Sequence, residues 1–251
     1  MNAWWSILPW WFAPLLALAL GMIALAPLGV QVLKRGVVFI DLAVAQAAAA
    51  AALWWNSAID HPSPWTTRAA ACAGALLAAW WVHRLAQRQT NQREALIGLV
   101  YVLSAALAVL GASQDPHGRE NLSALLAADV LWADWPQVMW MAGLAAGSAL
   151  WRRMIHTVAP SAAWCDALFY GWFAVVASMA VGVLGLWLVF AGLIVPALLL
   201  ATGWGVWTCG AGLLIAGSVG LAVSSALDWP SGACVIVAVS LLGLCAKRRT
   251  T

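Results

Sequence analysis

The chain has 251 residues, 65% hydrophobic and 8% charged, with a formal net charge of +3. Soluble domains carry about 25% charged and 45–50% apolar residues, and one soluble core of this length could not hide so much apolar surface. A soluble enzyme, a nucleic-acid-binding module and a disordered chain are excluded together.

The sequence falls into apolar runs of about 20 residues, enough to cross roughly 30 Å of hydrocarbon at about 1.5 Å per residue. Runs bounded by charge, Pro or Gly predict spans near 13–33, 37–57, 66–83, 95–113, 136–151, 167–185, 187–202, 205–226 and 232–246. The fold class expected is all-α, a polytopic integral membrane helix bundle of eight or nine transmembrane helices. The count is open at 167–202, where Gly182, Gly185, Gly192 and Pro196 punctuate one apolar stretch. Met1–Phe12 has no basic region and no small-x-small cleavage pattern, and reads as the approach to a retained first span. Residues 1–251 are expected to form a single transmembrane domain with no soluble domain.

Basic residues set the orientation. With the Lys34/Arg35 loop in the cytoplasm, alternation also puts Arg84, Arg88, Arg93, Arg152, Arg153, Lys247, Arg248 and Arg249 inside, leaving Arg68 and Arg119 outside. Nine spans then give an external N-terminus and a cytoplasmic C-terminus. Many of the 19 Trp, among them Trp54/Trp55, Trp65, Trp80/Trp81, Trp132/Trp135, Trp151 and Trp229, fall near span ends, as an interfacial belt requires. Gly143-x-x-x-Gly147, and Gly212, Ala216, Gly220 and Ser224 at intervals of four, mark helix faces that allow close approach. The five cysteines stand singly, with no Cys-x-x-Cys, and read as small membrane-embedded hydrophobes.

Asp41 is the acid set well inside a predicted span, and an ionisable group there needs a partner or an aqueous path. Two readings stand: a polar point on a solute pathway with Gln46 further along, or an interfacial acid neutralised by Lys34 or Arg35. The four histidines fall in loops or at span ends without metal-ligand spacing, and His117 reads as part of a turn capping a short helix. No His-Glu-x-x-His, Gly-x-Ser-x-Gly or Gly-x-x-x-x-Gly-Lys-Ser/Thr occurs, so ATP-driven transport would need the nucleotide on another chain. Pro196 cannot donate the helical hydrogen bond toward Gly192, which makes Gly192 and Pro196 a candidate hinge. The stretch from Arg152 to Asp166, with Arg153 and a Pro160-Ser helix start, is a basic loop that fits a cytoplasmic docking element.

Five ordered segments resemble the permease subunits of bacterial ABC importers for zinc, manganese and related metal ions. They are Gly36-Val-Val-Phe-Ile-Asp41-Leu-Ala, Glu94-Ala-Leu-Ile-Gly98, Leu122 to Leu131 with Asp129-Val-Leu, Gly185-Leu-Trp-Leu-Val-Phe-Ala-Gly-Leu-Ile-Val-Pro196-Ala, and Asp228-Trp-Pro230-Ser-Gly232-Ala. The resemblance implies a permease homodimer in the bacterial cytoplasmic membrane that moves a divalent metal, zinc or manganese. It implies a cytoplasmic ABC ATPase, an extracytoplasmic metal-binding protein, and no cofactor or enzymatic activity in this chain, ATP being bound by the partner subunit. Asp41 and Gln46 become translocation-path residues, Gly192 and Pro196 the hinge, and Arg152, Arg153, Pro160 and Asp166 the ATPase-coupling loop. Many family members have His four residues after the acid; here that position is Ala45. The family's coupling helix is expected to be shortened or absent between Met154 and Asp166. The alternative is a secondary transporter using Asp41 as a proton or cation site.

Overall fold

The computed structural model describes residues 9, 11–37, 39–59, 61–88, 92–126, 128, 130–158 and 162–245, so Asp129 and Pro160 lie outside the described residues. Among those described there is no strand. The helices are α1 (Phe12–Arg35), α2 (Ile40–Ala58), α3 (Pro64–Arg88), α4 (Arg93–Ala112), α5 (Gly118–Leu126), α6 (Trp135–Val158), α7 (Ala162–Leu184), α8 (Leu186–Ala201), α9 (Val206–Leu227) and α10 (Ser231–Cys245), with a 3-10 turn at Val130–Trp132. Each of the nine expected apolar runs forms a helix; α5 is the addition. Helices are the form in which these apolar runs satisfy their backbone polar groups internally, which hydrocarbon demands. Four helices, Phe12–Arg35, Arg93–Ala112, Trp164–Leu184 and Val206–Leu227, are long and apolar enough to cross a membrane by length and composition; α8 and α10 are shorter apolar helices. The protein is a multi-pass, all-α membrane bundle.

The core is built from α1, α7 and α8, which supply Leu18, Leu25 and Leu28, Phe169, Phe173 and Leu184, and Leu188, Leu193 and Leu199 as fully buried side chains. On one side α2 packs against α3 and α4, and α3 leans on α7; on the other α10 joins α9 to α8, while α6 lies along α1. Small residues set the closest approaches. A Cβ on Gly220 would sit 2.6 Å from the Cα of Val235, and one on Gly212 3.4 Å from Leu242, so the small face of α9 seats α10. Gly147 lies under the Trp172 ring, whereas Gly143 has nothing within 4 Å. Only half of that small-x-x-x-small pair is a helix contact.

The apolar stretch 167–202 breaks at Gly185, whose φ of 77° is open to glycine and strained for other residues. Through Gly192 and Pro196 the helix α8 is continuous. The hinge expected at that pair is therefore not a break, and both residues are buried. Gly192 packs on Met22 and Leu25 of α1. The α7–α8 turn lies within the bundle: Leu184 packs on Gly21, which is about 14 Å along α1 from Phe12 at helical rise.

Helix ends group as an alternating topology requires. Arg35, Trp151, Asp166, Phe169 and His83 meet at one end. Phe12, Trp135, Leu131 and Ser231 meet at the other. The stretch Arg152–Asp166 is not a loop over most of its length: α6 carries Arg152 and Arg153 on to Val158, and α7 already includes Asp166. Residues 159–161, between the two helices, lie outside the described residues. The five cysteines are all free thiols. His117 donates its backbone N–H to Asp115 Oδ1 at 2.9 Å, an Asx turn that starts α5.

Candidate functional site

Gly36 takes the left-handed conformation after α1 (φ 62°, ψ 39°), and its N–H and that of Val37 bond back to Leu33 and Val32. This tight helix stop turns the chain into α2 and sets Asp41 in its first turn. Asp41 is 1% exposed, and among the described residues its carboxylate has no side-chain partner, meeting only the nearby backbone N–H groups of Leu42 and of Asp41 itself. A buried carboxylate in this condition is expensive unless something else meets it. Its position at a helix N-terminus, where unpaired N–H groups and the helix dipole favour negative charge, offsets part of that cost.

Arg35 does not neutralise Asp41. Its Nη2 and Nε donate to Asp166 Oδ1 at 3.0 and 3.3 Å, and its Nη1 donates to Gln31 Oε1. Among the described residues that removes the Arg35 version of the interfacial-pair reading. The signal was half visible: Gln31 and Arg35 are one helical turn apart, but Asp166 is 131 positions away, beyond any local pattern.

Asp41, Ala45, Ala48 and Ala52 follow one another along one face of α2, at offsets of four, seven and eleven. Gln46, five residues on, is turned well away from that face and is 5% exposed. The upper part of the face, at Ala48 and Ala52, lines a cavity of about 180 Å³ that Thr67, Gln137 and Ser178 border with polar groups. Trp65 and Trp140 meet edge to face across its rim, ring centroids 5.1 Å apart, and the Arg68 guanidinium stands 5.4 Å over the Trp65 ring. Ala48 is about 10 Å along α2 from Asp41. A small-residue face thus leads from a polar-edged cavity, two turns down, to a buried acid with no side-chain partner among the described residues. The sequence pointed to the acid; the cavity depends on α3, α6 and α7 and had no local signal.

Asp41 is enclosed within one chain, not displayed on an outer face. Among the described residues no group of three or more His, Cys, Asp or Glu is placed to hold a metal ion. With Ala45 one turn beyond it, the acid offers a single carboxylate, a hard oxygen donor suited to transient contact with a cation. Of the residues expected to meet an ATPase, Arg152 and Arg153 are exposed on α6 and Asp166 is half-buried on α7.

No protein-family profile and no curated protein matches the chain. The solved structure of PsaBC from Streptococcus pneumoniae in complex with Fab contains a chain that aligns with a TM-score of 0.74, at 16% sequence identity, over 96% of this chain and 92% of that one. This chain shares that fold. The likeness in fold covers 96% of this chain and so takes in nearly the whole bundle.

Proposed function

We propose that the chain is the permease subunit of an ABC-type importer that carries a divalent metal ion, zinc or manganese, across the bacterial cytoplasmic membrane. A separate cytoplasmic ATPase powers it, an extracytoplasmic metal-binding protein delivers the ion, and two copies form the membrane unit. The observation that carries this reading is Asp41: a fully buried carboxylate with no side-chain partner among the described residues, aligned through Ala45 and Ala48 with a polar-edged cavity. The ordered family-like segments and the shared fold support the same reading.

In this reading the end of the bundle carrying Arg35 faces the cytoplasm and the cavity faces outward. The ion passes from the cavity along the small-residue face of α2, and Asp41 supplies a negative charge to a desolvated cation at the far end of that face. Gln46, off that face, serves only if α2 rotates. Arg152, Arg153, Pro160 and Asp166 form the ATPase contact. Hydrolysis shifts the bundle between two states for which the ATPase has different affinity. Flexing at Gly192 and Pro196 contributes within α8, where Pro196 leaves one helical hydrogen bond unmade.

The test is metal uptake by cells expressing the chain with its native partners, comparing wild type with Asp41→Ala at equal membrane levels. Loss of radioactive zinc or manganese uptake is expected. Unchanged uptake by the variant contradicts the path role of Asp41.

A further inference from the structure

Arg35 closes α1, and its planar fork is held on three sides. Asp166 of α7 accepts from Nη2 and Nε, Gln31 of α1 accepts from Nη1, and the guanidinium carbon lies 4.2 Å from the centroid of the Phe169 ring. Phe169 is fully buried and faces Trp151 of α6 at 6.1 Å and Tyr170 at 5.3 Å. Tyr170 in turn lies 4.9 Å from the His83 ring of α3, whose Nε2 accepts from the Gln87 amide at 3.0 Å. The first two turns of α7 are therefore joined to α1, α3 and α6 at one end of the bundle.

An ion pair this exposed, 21% on Arg35 and 44% on Asp166, adds little stability. Its worth is directional. A guanidinium fixed by a carboxylate, an amide and a ring face has one orientation, which a lysine ammonium would not keep. The better-covered partner sits on the core helix α1, and the more exposed one lies four residues into α7, at the end of the stretch proposed to meet the ATPase. From Arg35 the chain passes through the Gly36 stop and reaches Asp41 six residues later. Along α1, Gly29 lies against the backbone of Leu193 in α8.

We infer that Arg35 is a positioning residue that ties movement of the start of α7 to α1, and through the Gly36 turn to the buried acid Asp41. This inference rests on the permease reading and specifies how force from the ATPase enters the bundle. The residue touches no solute; it acts through Asp166 and the helix it ends.

The test uses the chain in complex with its ATPase in sealed proteoliposomes, with zinc and manganese as probes. Variants are Arg35→Ala, Arg35→Lys and the exchange Arg35→Asp with Asp166→Arg. The readouts are ATP hydrolysed, metal carried per ATP, and melting temperature. Arg35→Ala is expected to hold the ATPase and melt near the wild type while carrying about tenfold less metal per ATP. Arg35→Lys falls between the two, and the exchange recovers part of the loss. Unchanged metal per ATP in Arg35→Ala overturns the inference, and so does a drop in melting temperature and uptake with that ratio intact, which marks a merely structural residue. If the wild-type chain itself neither holds an ATPase nor carries either metal, the permease reading has failed first and the coupling role falls with it.

Discussion

Gly29 of α1 lies directly against the carbonyl of Leu193 in α8, close enough that a Cβ at position 29 would overlap that carbonyl. Backbone cannot retreat as a flexible side chain does, so the two core helices would have to separate. Gly29→Ala is expected to lower stability by about 1–3 kcal/mol or more, the range for overpacked cores. Gly143→Ala, with nothing within 4 Å of the added carbon, is expected to be neutral or slightly stabilising. Thermal unfolding of both variants in detergent checks the pair.

Asp41 carries the opposite expectation. Burying a charged carboxylate that has no side-chain partner among the described residues costs stability, so Asp41→Asn, which removes the charge and keeps the shape, is expected to melt at or above the wild-type temperature. The same variant is expected to lose metal uptake. A sharp loss of stability on removing the carboxylate would reveal a structural partner and weaken its assignment to the path.

Trp172 Nε1 donates to Ser148 Oγ at 3.1 Å, and a Cβ on Gly147 would lie 2.5 Å from Trp172 Cη2. Ser148→Ala should cost about 1 kcal/mol by leaving a half-buried indole N–H unpaired. Gly147→Ala should cost more, because the ring must tilt and break that bond. The melting order wild type, Ser148→Ala, Gly147→Ala tests the register between α6 and α7.

Sidedness can be read from a thiol. Cys245, the last residue of α10, is exposed, whereas Cys209 is buried with its Sγ donating to the Pro196 carbonyl at 3.9 Å. A membrane-impermeant maleimide is expected to label Cys245 in inverted vesicles and to leave it unlabelled in intact cells. Cys209 should stay protected in both until the protein is denatured. Labelling of Cys245 in intact cells would reverse the orientation inferred from the basic residues.

The spans were legible because their signal is local: each apolar run is about the length of a bilayer crossing, and charge marks its ends. Asp41 was legible for the same reason, as an acid where none is cheap. The Gly185 break was one of several Gly and Pro positions, and only its φ of 77° in the fold distinguishes it from Gly192 and Pro196, through which α8 is continuous. Arg35 was read as a neighbour of Asp41 because six positions separate them; its tie to Asp166 depends on how α1 and α7 cross. Trp151, grouped with the interfacial belt, is buried against Phe169. Periodicity reports what faces away from water, not which helix lies opposite. The stretch at 152–166 read as a loop because two arginines and a proline interrupt hydropathy, yet charge does not end a helix that has left the hydrocarbon.

The account depends most on the energy source. Sealed proteoliposomes containing the chain, with and without its ATPase, decide it through accumulation of zinc or manganese against a gradient. The account predicts accumulation only when the ATPase and ATP are both present. Accumulation by this chain alone, driven by a proton gradient, would contradict it and leave Asp41 as the site of a secondary transporter.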